Sequence, residues 1–165
     1  MDQVAFFIDI AAPLDRVHDA FWRLEDWPAV APHVKKIEML YENDAVQVLV
    51  MHVETGARSD RFMSVRVRQG NDIFYFQPTP PPALRQHFGW WRLEASNGST
   101  RVASDHSLDI HLERAAQFLR SAGIEAEGDE AVRERFRQVI HHNSEQTMSA
   151  LKARLESQVG GSHAA

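Results

Sequence analysis

Between Ile37 and Ile110 the chain repeats one pattern: a β-rich run, a few turn-forming residues, then another run. Ile37 to Tyr41, Ala45 to Val53, Arg58 to Arg68, Ile73 to Phe76, His87 to Glu94 and Arg101 to Ile110 all read as strands. Glu42-Asn43-Asp44, Thr55-Gly56, Gly70-Asn71-Asp72, Pro78 to Pro82 and Asn97-Gly98-Ser99 separate them. Connections this short join antiparallel neighbours, because a parallel pair needs a crossover of about a dozen residues or more. The stretch predicts a meandering antiparallel sheet.

The flanks are different. Val4 to Ile10 is a further short strand, stopped by Ala11-Ala12-Pro13, and Pro13 suits the first turn of a helix. Val17, Ala20, Phe21 and Leu24 then recur at helical spacing, with Asp15, Arg16, Asp19 and Arg23 opposite. Trp27-Pro28 is expected to end that helix, and a short irregular or helical piece to run on to Pro32. After Ile110, Glu113 to Ser121 fits a short helix and Ala122 to Asp129 an acidic connection. Glu130 to about Gln158 reads as one long helix, with Val132, Phe136, Val139, Ile140, Thr147, Met148, Leu151 and Leu155 on one side. The class is therefore α+β, with that apolar stripe lying across one face of the sheet. A curved sheet holding one helix tends to leave a hollow, and hollows bind ligands.

Length and composition bound the rest. A chain of 165 residues, 44% hydrophobic and 25% charged, fits one domain, expected over residues 1–159 with a disordered tail at 160–165. A net charge of −5 without a basic stripe argues against nucleic acid as partner. The absence of cysteine excludes disulfides, thiolate zinc sites and a cysteine nucleophile. An acidic start and no apolar run of roughly 18 residues give the expectation of a cytoplasmic protein with no membrane partner. The nine histidines show no metal-ligand spacing, and adjacent His141 and His142 point to different helix faces, so no metal site is expected.

Four stretches carry a resemblance: Asp26-Trp27-Pro28 with Pro32 and Glu38, Phe62-Met63-Ser64-Val65-Arg66, Gly89-Trp90-Trp91, and His141-His142-Asn143-Ser144. Over about Val4 to Leu155 the chain resembles the monodomain aromatase/cyclases of bacterial type II polyketide synthases, in the Bet v 1-like, START-related (SRPBCC) superfamily. The resemblance implies a helix-grip fold: a curved antiparallel sheet wrapped around a long C-terminal helix, with an internal cavity. It implies aldol cyclisation and dehydration of a poly-β-ketone carried on an acyl carrier protein, beside a ketosynthase, with no cofactor.

Strand alternation sets Met63, Val65 and Val67 against Ser64, Arg66 and Arg68, and alone favours Arg66 in solvent. The resemblance reverses this and implies a cavity arginine that stabilises enolate and alkoxide charge, its loss costing about a hundredfold in rate. Ser64 and Phe62 share its face, as a polar contact and an apolar wall. His106 lies with Val102, Ser104 and Leu108 on the apolar face of its strand, opposite Arg101, Asp105 and Asp109, and an imidazole there can serve as general base. Asn143 falls on the apolar stripe of the long helix, and Thr147 stands where some relatives carry an acid, which weakens any carboxylate-assisted proton transfer. Trp27, Leu49, Met51, Phe88 and Trp91 complete the candidate wall, with core packing as the competing role for each. Lys35, Lys36 and Arg58 are candidates to meet an acidic carrier protein, against the plainer reading of scattered solvated charges. If Ser64 and Arg66 face inward, Met63, Val65 and Val67 face outward, which gives the expectation of a homodimer. Two other readings compete: a lipid, isoprenoid or quinone carrier of the same fold, and a catalytically silent clamp on a synthase complex.

Overall fold

The computed structural model describes residues 1–55 and 58–160. Among them the strands are β1 (Asp2–Ile10), β2 (Val34–Glu42), β3 (Val46–Thr55), β4 (Arg58–Gln69), β5 (Asp72–Thr79), β6 (Leu84–Ser96) and β7 (Ser99–Ile110). The helices are α1 (Leu14–Trp22), α2 (Trp27–Val30), α3 (Leu112–Ser121) and α4 (Asp129–Gly160). The strands form one antiparallel sheet in the order β1-β7-β6-β5-β4-β3-β2. α1 and α2 carry the chain from one edge, β1, to the other, β2, and the meander returns it to β7 beside β1. The architecture is the expected α+β helix-grip arrangement. No described helix is long and apolar enough to cross a membrane. The expected disordered tail lies outside the described residues, apart from Gly160, which closes α4.

The expected strands form, several of them longer than read. The β6–β7 hairpin turns on Asn97 (φ 47°) and Gly98 (φ 83°), both left-handed, which suits the twist of the paired strands and accounts for the Asn-Gly pair. β5 runs through Pro78, although proline donates no ladder hydrogen bond. Its pairing with β6 stops at Phe76 and Phe88, so the proline stands where β5 has already left β6. The first helix is corrected at its end. It stops at Trp22, five residues before the Trp27-Pro28 pair, and Trp27 opens α2 instead.

α4 lies against the inner face of the sheet and joins two cores. Met148, Leu151 and Leu155 pack with Phe21, Leu24, Leu49 and Val102 in one cluster. Val132 and Phe136 pack with Leu108, Ile110, Phe118 and Leu119 in the other. Between these clusters the middle of α4 meets the splayed ends of β5 and β6, and the interior there is hollow.

Candidate functional site

The hollow is a cavity of about 190 Å³. Val139, Ile140, Asn143, Ser144 and Thr147 of α4 form one side, with Trp27, Met51, Phe62, Trp91 and His106 opposite or beside them. Phe118, Pro81, Pro82, Arg58 and Asp60 line the end between α3 and the β3–β4 hairpin. Trp91 packs edge-on to Trp27 and Phe21, at ring-centroid separations of 5.6 and 5.8 Å, so three aromatic rings make one continuous wall. At the outer end Arg58 pairs with Asp60 (3.5 Å) and lies over the Phe118 ring.

The polar groups gather at His106, which is 6% exposed. Its Nε2 lies 3.0 Å from the Ser144 hydroxyl and 3.3 Å from that of Ser104. Its Nδ1 lies 3.0 Å from His87 Nε2 and 2.5 Å from the Tyr75 hydroxyl. His87 Nδ1 in turn lies 2.9 Å from Gln77 Oε1, and the two imidazoles stack. Tyr75 donates to the Asp105 carbonyl at 3.1 Å. Burial, reinforced by the charge of His141, pushes the His106 pKa down to about 4. Burial also holds His87 well below the usual histidine range, with His106 adding to the effect. Both rings are therefore neutral at neutral pH, so a free ring nitrogen on His106 can accept a proton.

Of the residues named from the sequence, His106, Trp27, Met51, Phe62, Trp91, Asn143 and Thr147 line the cavity. Thr147 returns its hydroxyl to the Asn143 carbonyl (3.1 Å), within its own helix. Arg66 and Ser64 lie elsewhere. Arg66 is buried on the inner face, neither solvated, as alternation suggested, nor at the cavity lining. Its Nη1 donates to the Trp22 carbonyl (3.0 Å) and to Gln47 Oε1 (2.7 Å), and its Nη2 donates to the Phe21 carbonyl. Those carbonyls end α1, where the helix dipole is negative, so the guanidinium caps the helix. Trp22, Trp27 and Trp91 surround it at 5.2 to 5.8 Å from ring centre to guanidinium carbon. Burial pushes its pKa down to about 9, against an upward pull from Glu42, so it stays a cation at neutral pH.

Ser64 is likewise buried outside the lining, where the β4–β5 register shifts, and Leu49 is fully buried core. Phe88 is corrected outright. It points to the outer face of the sheet and packs on Phe74, because alternation puts it with Trp90 and opposite to His87, Gly89 and Trp91. The same alternation marks His87 as inward, and Tyr75 and Gln77 follow it on β5; these and Ser144 were missed. Lys35, Lys36 and Arg58 each pair with an acid, respectively Glu54, Glu38 and Asp60.

A family described as polyketide cyclase/dehydrase and lipid transport matches residues 10–126. The chain belongs to this family. No curated protein matches. Among solved structures, the Zhui aromatase/cyclase of Streptomyces sp. R1128 is 22% identical with a TM-score of 0.78, covering 96% of this chain and 95% of its own. The di-domain aromatase/cyclase BexL of the BE-7585A pathway is 25% identical, TM-score 0.81, with 94% of this chain matching 50% of that one. A START superfamily protein of Mycobacterium smegmatis shares the fold at 15% identity, TM-score 0.73, over 94% and 98% of the two chains. This family member thus has the fold of single- and di-domain cyclases and of START proteins.

Proposed function

We propose that this family member is a polyketide aromatase/cyclase. It folds a carrier-bound poly-β-ketone in the cavity and promotes an intramolecular aldol condensation followed by dehydration. The observation that carries this reading is a neutral, buried imidazole, His106, at the lining of an otherwise largely apolar cavity. A passive carrier of apolar molecules gains nothing from polar groups such as His106, Asn143 and Ser144 at its lining.

In this reading His106 Nε2 takes a proton from a methylene between two ketones, and the resulting enolate carbon attacks a second carbonyl. The imidazolium returns the proton to the new alkoxide. A second round removes another α-proton, and the hydroxyl leaves as water with the proton that His106 gives back. The Asn143 amide supplies hydrogen bonds to the enolate and alkoxide oxygens. Arg66 acts at one remove: it anchors the end of α1 and backs the wall of Trp27 and Trp91 that shapes the folded chain.

An acyl carrier protein and a ketosynthase are the proposed partners, and the cytoplasm is the proposed location. A second copy is proposed to cover the outer face, where Met63, Val65, Val67 and the exposed Phe76 stand clear of the described helices; sedimentation as a clean monomer at high concentration opposes it. The function is tested by reconstitution with a minimal polyketide synthase. Adding the protein should convert a mixture of spontaneously cyclised products into one regioisomer. An unchanged mixture, with tight binding of a fatty acid or quinone, would favour a carrier.

A further inference from the structure

We infer that His87 is a positioning residue for His106, fixing it as the tautomer whose Nδ1 carries the proton and whose Nε2 lone pair faces the cavity. The inference deepens the cyclase reading and rests on it for its catalytic meaning; the tautomer itself can be observed independently.

Gln77 sets the proton positions of both rings. Its Oε1, 2.9 Å from His87 Nδ1, can only accept, so His87 carries its proton on Nδ1. A neutral imidazole has one N–H, which leaves His87 Nε2 as a bare acceptor. That acceptor lies 3.0 Å from His106 Nδ1, which must then donate. Tyr75 fits the same assignment: its one proton goes to the Asp105 carbonyl, and its oxygen faces the His106 N–H at 2.5 Å. His106 Nε2 is left without a proton, its lone pair at the cavity lining beside the Ser144 and Ser104 hydroxyls.

The opposite tautomer is disfavoured. With the proton on His106 Nε2, Tyr75 would have to turn its hydroxyl to Nδ1, and the buried His87 Nε2 would face another lone pair with no donor. It would also present an N–H to the substrate and be unable to take a proton. Gln77, His87 and His106 thus do with two neutral rings and an amide what a buried carboxylate does for many histidine bases. His87 is 7% exposed and reaches the cavity lining, but its Nε2 is turned to His106 Nδ1 and its Nδ1 to Gln77, so it acts through His106.

The test is two-bond proton–nitrogen correlation NMR on protein labelled at histidine, for wild type, His87→Gln and His87→Leu. Wild type should show His106 protonated on Nδ1 alone. His87→Gln, whose amide oxygen can replace the Nε2 acceptor, should keep that tautomer. His87→Leu should shift it towards the Nε2-protonated form and slow directed cyclisation about a hundredfold, with binding of a naphthol probe retained. A wild-type His106 protonated on Nε2, or a His87→Leu protein with the tautomer unchanged, would overturn the inference. A tautomer that shifts while directed cyclisation continues at the wild-type rate would uphold the positioning role and reject His106 as the base.

Discussion

Tyr75 crosses the neighbouring strand over Gly89: a β-carbon at residue 89 would stand 2.5 Å from the tyrosine hydroxyl. It would also lie 1.9 Å from the Asp105 carbonyl oxygen, which accepts from that same hydroxyl. Only glycine leaves room for the ring to reach His106, which accounts for the glycine ahead of Trp90 and Trp91.

Gly89→Ala should therefore destabilise the protein by about 3 kcal/mol, as overpacking against backbone does. Pairing it with Tyr75→Phe should restore little, because the nearest obstacle is the Asp105 carbonyl. Urea unfolding of the three variants checks this, and full recovery in the double variant would show that the hydroxyl alone sets the constraint.

Arg66→Ala should behave as the loss of a structural anchor. It leaves the Phe21 carbonyl and Gln47 Oε1 without their donor and the Trp22 carbonyl with Gln47 Nε2 alone, at a cost on the order of 3 kcal/mol, and loosens the wall in front. Stability and naphthol-probe affinity should fall together with product yield. If stability and probe binding are untouched while turnover collapses, Arg66 works directly on developing negative charge, as its motif first implied.

Acid should unfold the protein earlier than surface carboxylates alone would dictate. His106 titrates near 4 when folded, lowered by burial and then by His141, but near 6.5 when unfolded. The unfolded chain binds the extra proton in that window. This stabilisation is complete above about pH 6.5, is lost as the pH falls towards 4, and amounts to something on the order of 3 kcal/mol. His87 acts in the same direction. Urea unfolding at about pH 7.5 and about pH 5 should show a smaller loss in His106→Gln than in wild type; equal losses would place the acid sensitivity elsewhere.

The sheet was legible because alternation and turn chemistry are local: Asn97-Gly98 makes its hairpin, and His106 faces inward with Val102, Ser104 and Leu108 as its strand pattern indicates. The long helix was equally legible from its stripe. What local pattern could not supply was long-range capping. α1 ends at Trp22 because Arg66 and Gln47, on strands 44 and 25 residues away, take its last carbonyls. The same partners hold Arg66 inward against the alternation that favoured solvent. The misplacement of Phe88 had a different origin, since its strand could not turn both Phe88 and Trp91 to one face. Applying the alternation strictly would have exchanged Phe88 for His87.

The most direct test of the account is His106→Gln in the reconstituted synthase, since glutamine keeps a polar side chain there but cannot serve as the base. Its fold, checked by circular dichroism, and its naphthol binding should match wild type. Directed cyclisation should fall by about a hundredfold or more, leaving spontaneous products. Wild-type rate and regiochemistry in this variant would contradict general-base catalysis by His106 and leave the cavity as a shape-selecting chamber alone.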